Sequence, residues 1–248
     1  MKKFLLVNDT IKSKNLGCQL VSYCLRQSFN DPFDSVFLVN TKQKKKNYKI
    51  KDYDFVYING EGSMAGKNNS FVKYCSRALE NKIPLFFNNM TYDPLKNKNF
   101  IKSWKNTLLQ SNTVCVREPL SYYYLQNKGI EKTKLFPDIG VVYQGQFEQK
   151  RDLICFGGGS INKRHSITKD NIKSFHKIFE TFKDYELVFL DWPSSINDLK
   201  YLNKVLTKDI KVIKPNFKQY WEIISKARLN ITGRHHGCVM SFTAETPF

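Results

Sequence analysis

Acidic side chains are scarce in this chain. Its 248 residues hold 22 Asp and Glu against 40 Lys and Arg, a formal charge of +18, and the sequence pI is near 9.6. That balance argues for anionic partners: nucleic acid, phosphorylated metabolites or the acidic leaflet of a membrane. The Lys-Asn-rich text at 41–51 has little aromatic interleaving on which bases could stack, so a solvated surface is favoured and no specific nucleic-acid partner is expected. Paired cysteines are also missing. Cys18, Cys24, Cys75, Cys115, Cys155 and Cys238 are scattered, none forming a C-x-x-C pair, which argues against a zinc knuckle and for reduced thiols in a cytosolic protein. No long apolar run occurs at the start. The stretch 4–7 stops at Asn8 and Asp9, too short for a signal-peptide core or a membrane span. Heptads, internal repeats and a G-x-S-x-G nucleophile context are absent too, which removes coiled coils, solenoids and the common serine hydrolases.

What is present is a globular composition, 41% hydrophobic and 14% aromatic, in a chain long enough for one large or two ordinary α/β domains. The pattern alternates from the outset. Strand text at 4–7 is followed by a Gly-containing loop and helical spacing through Leu20, Val21, Cys24 and Leu25. Strands are expected at 35–39, 55–58, 85–87 and 113–116, with helices at 71–81, 100–109 and 122–125 and a short edge element at 135–138. Polar text at 144–151 reads as a linker. The alternation then restarts with strands at 153–156, 187–190 and 211–213, and helices at 172–182, 196–206 and 217–227. Repeated β-then-α implies parallel sheets covered on both faces, with functional loops at the carboxyl edges of the strands.

Several loops at those edges carry chemistry. Ile231 to Gly237 follows an alternating strand pattern and precedes a small-residue helix expected at 238–245, so Arg234 and the histidines fall on a strand-to-helix turn. A helix N-terminus favours an anion there. A guanidinium grips carboxylate or phosphate with two hydrogen bonds, and imidazole transfers protons near neutrality. The alternative is a buried Arg tying a loop beside a structural His. Arg117, directly after the strand at 113–116, either holds an anionic ligand or pairs with Glu118 or a neighbouring carboxylate. Asp52 and Asp54 match a D-x-D pair but precede their strand, which places them at the surface. Gly157 and Gly158 begin like a dinucleotide fingerprint, yet Asn162 stands where its third glycine belongs; a tight turn that cradles phosphate fits better. His165 and His176 read as surface or helix positions.

The loops taken together resemble the polysaccharide pyruvyl transferase family. The matching text is Val7 to Thr10 with Asn15 to Cys18, Asn59 to Ser63, Val116 to Ser121 with Gly129 and Ile130, Phe136 to Asp138, and Thr232 to Gly237 with Thr246 to Phe248. These segments occur in the family's order across nearly the whole chain. The resemblance implies an α/β, GT-B-like fold of two Rossmann-like domains with parallel sheets facing across a cleft, set here at residues 1–146 and 147–248. It implies transfer of a pyruvyl group from phosphoenolpyruvate to two hydroxyls of a sugar or lipid-linked glycan, as a ketal. Arg117 and Arg234 suit the donor's two anionic groups. His236 occupies the histidine of the family's R-x-H pattern and is the general-acid candidate, with His235 beside it. Glu61 is either the base for an acceptor hydroxyl or a structural hydrogen-bond acceptor. Asn15, Gly60, Gly157 and Gly158 complete the expected substrate contacts. No metal and no cofactor are expected, because the site text holds no acidic cluster and the histidine pair has no third ligand nearby. Chains of the family usually continue past the T-P-F segment, so the second domain is expected to be incomplete. The expected location is cytoplasmic, peripheral at the inner face of an anionic membrane. A nucleotide-sugar glycosyltransferase and a non-catalytic basic module that binds glycan or nucleic acid are the rival readings.

Overall fold

Every residue of the first strand, β1 (Phe4–Val7), is fully buried, as expected of a strand inside a parallel sheet with both faces covered. The computed structural model describes residues 2–29, 32–36, 48–61, 72–92, 100–146, 152–157, 169–192 and 210–248. They form two compact units: Met1–Ser13 with Val21–Ile139, and Lys14–Leu20 with Gly140–Phe248.

In the first unit, β1 is followed by α1 (Leu16–Ser28), whose first turn groups with the second unit, then by β2 (Phe33–Val36) and β3 (Phe55–Asn59). Next come α2 (Val72–Glu80), β4 (Leu85–Met90), α3 (Phe100–Gln110), β5 (Thr113–Val116), α4 (Pro119–Asn127) and β6 (Thr133–Leu135). The six strands pair in parallel in the order β2-β1-β3-β4-β5-β6. Side-chain alternation sorts the core into two faces. Phe4 and Leu6 pack with Val21 and Leu25 of α1, while Leu5 and Val7 join the cluster of Tyr74, Cys75 and Ala78 from α2, Trp104 and Leu108 from α3, and Leu125 from α4. Each such buried apolar side chain contributes on the order of 1.5–3 kcal/mol.

The second unit holds β7 (Leu153–Phe156), α5 (Lys169–Thr181), β8 (Glu186–Leu190), β9 (Lys211–Ile213), α6 (Phe217–Ser225), β10 (Leu229–Ile231) and α7 (His235–Thr243). Its four strands are parallel in the order β10-β7-β8-β9. Helix α6 opens with a reciprocal cap: Gln219 N donates to Asn216 Oδ1, and Asn216 N donates to Gln219 Oε1, each at 3.0 Å. Among the described residues no helix is long and apolar enough to cross a membrane.

The α/β alternation with parallel sheets matches the expectation; some boundaries differ. The edge element expected at 135–138 is β6, two residues earlier: Thr133 to Leu135 pair with Val114 to Val116, and the last bond to β5 is from Phe136 N to Val116 O at 2.9 Å. Helix α7 begins at His235, three residues before the expected start. The strand expected at 35–39 is β2, and residues 37–39, like the helix expected at 196–206 and His165, lie outside the described residues. Asp52 and Asp54 are exposed before β3, and His176 is exposed on α5.

Candidate functional site

At the carboxyl edge of the first unit's sheet, polar residues are buried in succession. Asn8, Asp9 and Thr10 follow β1, Asn59 closes β3 ahead of Gly60 and Glu61, Asn89 lies near the end of β4, and Asp138 follows β6. Asn8 and Asn59 exchange hydrogen bonds: Asn8 Nδ2 donates to Asn59 O at 2.7 Å and Asn59 Nδ2 to Asn8 O at 3.1 Å. Glu61 Oε1 accepts from Thr10 Oγ1 at 2.6 Å and from Asn59 Nδ2 at 3.0 Å. The backbone is strained at this edge, with positive φ at Asn8, Glu61 and Asn89, and such strain persists only where surrounding contacts impose it. Gly60 packs against β4, its position leaving a Cβ 2.4 Å from Met90 Cγ.

Arg117 leaves β5 beside this network. Its Nε donates to Thr91 Oγ1 at 2.6 Å and its Nη1 pairs with Asp138 Oδ2 at 2.6 Å, so the carboxylate partner is Asp138, while Glu118 accepts from Ser121 Oγ. Thr91 N donates to Glu61 O at 3.1 Å, which links Glu61 and Arg117 through one residue. On the other side of β1, the buried carboxylate of Asp9 is held by Arg26 and by Ile11 N.

The second unit's carboxyl edge carries Gly157 after β7, Asp191 and Trp192 after β8, and the Thr232 to His235 turn after β10. Gly157 N donates to Ile231 O at 2.9 Å, which sets β7's end beside the turn. Arg234 is the N-cap residue of α7, in extended conformation, and its guanidinium carbon sits 5.2 Å from the centre of the Trp192 ring. Trp192 is itself buried and meets Tyr220 edge-on at 5.4 Å. Burial pushes the Tyr220 phenol up to about 12, hydrogen bonds with Asn230 and Thr232 acting against it. Asn230 Nδ2 donates to Tyr220 OH at 3.2 Å and to Ser241 Oγ at 2.7 Å, which ties α6, β10 and α7 together. His235 is exposed and His236 half-buried, their rings edge-to-face with centres 4.9 Å apart.

Helix α7 starts at His235 because Gly237 lets its first turn lie on Thr232: a Cβ at 237 would fall 2.6 Å from Thr232 Oγ1. Both histidines therefore ride on the helix's first turn, at the positive end of its dipole. Asn15, an expected substrate contact, caps α1: its Oδ1 accepts from Gly17 N at 3.0 Å and Cys18 N at 3.4 Å.

Of the expected site residues, Gly60, Glu61 and Arg117 belong to the first unit, and Asn15, Gly157, Arg234, His235 and His236 to the second; Gly158 lies outside the described residues. Sequence reasoning missed Trp192, Tyr220 and Asn230. Trp192 alone had a legible signal, standing two residues after a strand at the functional edge.

Two parallel α/β units of this kind define a recognisable class. S. aureus MnaA in a UDP co-structure aligns with a TM-score of 0.60 at 12% identity, covering 94% of this chain and 74% of that one. Methanocaldococcus jannaschii UDP-GlcNAc 2-epimerase in complex with UDP-GlcNAc and UDP aligns at 0.57 and 13%, covering 100% and 83%. The Neisseria meningitidis UDP-GlcNAc 2-epimerase bound to UDP-GlcNAc aligns at 0.54 and 12%, covering 94% and 77%. These neighbours are GT-B-like, and the chain shares their fold class. A comparison with curated protein sequences gave no significant match. The family model for polysaccharide pyruvyl transferase matches residues 15–248. The chain belongs to the polysaccharide pyruvyl transferase family, a family of glycan-modifying transferases.

Proposed function

We propose that the protein transfers the pyruvyl group of phosphoenolpyruvate to two hydroxyls of a sugar in a glycan or lipid-linked precursor, forming a cyclic ketal. Family membership supports the reaction class. The observation that carries the residue assignment is the α7 N-terminus, where Arg234 is stacked on Trp192 directly ahead of His235 and His236.

In this reading Arg234 grips an anionic group of the donor in two-pronged fashion, its plane held by the indole. His236 protonates the methylene carbon, which converts the enol phosphate into an oxocarbenium ion at C2. One sugar hydroxyl attacks that carbon and gives up its proton; the second displaces phosphate and gives up its own. Glu61 is the base for one of those protons, oriented by Thr10 and Asn59. Arg117, locked between Thr91 and Asp138, contributes fixed positive charge. The enol phosphate brings its own leaving group, so the reading requires no metal and no cofactor.

Mass spectrometry of candidate glycans after incubation with phosphoenolpyruvate tests the proposal; acceptors that gain no pyruvyl mass under any condition count against it. A second reading is favoured by the UDP and UDP-GlcNAc named in the neighbours' structures, namely a nucleotide-sugar enzyme. A thermal-shift panel separates the two, since a ligand at a hundredfold its Kd adds roughly 2.7 kcal/mol of stability.

A further inference from the structure

We propose that Gly17 is a positioning residue for His236, a role that rests on the general-acid reading given above. Gly17 sits in the first turn of α1, in helical sequence immediately behind the Asn15 cap. Its φ lies outside the left-handed region, so the backbone does not need glycine there, and glycine inside a helix is less favourable than alanine. The reason for glycine is space. A Cβ at position 17 would lie 2.2 Å from both Cγ and Nδ1 of His236 and 2.6 Å from its Cβ. The imidazole therefore rests directly on the α1 backbone, closer than any side chain allows.

The helix that carries His236 has no room to yield. Gly237, the next residue, is pressed on Thr232. Ser241, one turn further along α7, accepts from Asn230 Nδ2 at 2.7 Å and donates to Gly237 O at 2.9 Å. His235 stands edge-to-face against the same ring. With α7 pinned to β10, a methyl group at position 17 is accommodated only by turning the His236 ring and moving its Cβ away, since that atom would itself lie 2.6 Å from the new methyl. Gly17 thus selects one imidazole orientation, and a proton donor displaced by about 1 Å from its carbon loses on the order of 10²-fold in rate.

The experiment is a double-mutant cycle with a stability readout and a kinetic one, on Gly17→Ala, His236→Gly and the double variant. Gly17→Ala lowers the Tm of the wild-type chain. In the His236→Gly background both the ring and its Cβ are gone, and the same change raises the Tm by about 1–4 °C through helix propensity. Should Gly17→Ala alone fail to fold while the double variant folds, the steric coupling is likewise supported. An equal Tm shift in both backgrounds, or failure of both to fold, overturns the proposal. In the kinetic arm, Gly17→Ala lowers kcat by about 10- to 100-fold while the phosphoenolpyruvate Kd stays within about threefold. Coupled stability with unchanged kcat upholds the packing role of Gly17 and instead removes His236 from the chemistry.

Discussion

Replacing Trp192 by leucine separates two contributions that the structure superimposes on one side chain. The indole is buried, 3% exposed, packed edge-on to Tyr220 and face-on to the Arg234 guanidinium. Loss of its volume costs about 2–4 kcal/mol of folding stability, in the range of large-to-small core changes. Loss of the cation–π contact costs about 0.5–2 kcal/mol. That second quantity reappears as donor affinity if Arg234 binds the donor only when its plane is held, so Kd should rise about 2- to 30-fold. Trp192→Phe keeps a π face and the Tyr220 contact, and its Kd should change by less than about threefold. Urea melts measure the first effect and isothermal titration with phosphoenolpyruvate the second. Leucine at 192 with the expected loss of stability but wild-type affinity would show that Trp192 is core alone and refute the coupling to Arg234.

Arg26→Met leaves the fully buried Asp9 carboxylate without its charge partner and should destabilise the fold by about 3–5 kcal/mol; a loss below about 1 kcal/mol in urea melts would count against it. His236→Asn should lower kcat by on the order of 10²-fold with little change in donor Kd, His235→Asn far less, and deuterium entering the product methyl group from solvent reports the step directly. If the two variants exchange behaviour, the acid is His235. Burial, then the charge of Asp138, pushes the Cys24 thiol up to about 12, and burial pushes Cys75 up as well. Both should resist a thiol reagent at pH 8 until urea unfolds the chain; prompt reaction of all six cysteines in the native protein contradicts this. Because their folded pKa values lie above the unfolded value, their stabilising contribution is complete below about pH 9 and is lost as pH climbs towards 12. A pH series of melts across that window reads the decline.

The alternation of strands and helices was legible because burial imposes a period on local text. Phe4 to Val7 is apolar throughout, as a strand covered on two faces must be, and Leu20, Val21, Cys24 and Leu25 recur at helical spacing along the stripe that α1 buries. The R-H-H turn and its place after a strand could be read for the same reason. The start of α7 could not. Gly237 reads locally as a breaker, and only its packing on Thr232 makes it the residue that lets the helix begin early. Partners distant in sequence were equally hidden: Thr10 and Glu61 are 51 residues apart, and Trp192 and Arg234 meet because β8 and β10 flank β7 in one sheet. Nor does any local pattern group Lys14–Leu20 with Gly140–Phe248 or set Gly17 against His236. Periodicity records which face of an element is buried; which element buries it depends on strand order and backbone approach, and those arise only when the whole chain packs.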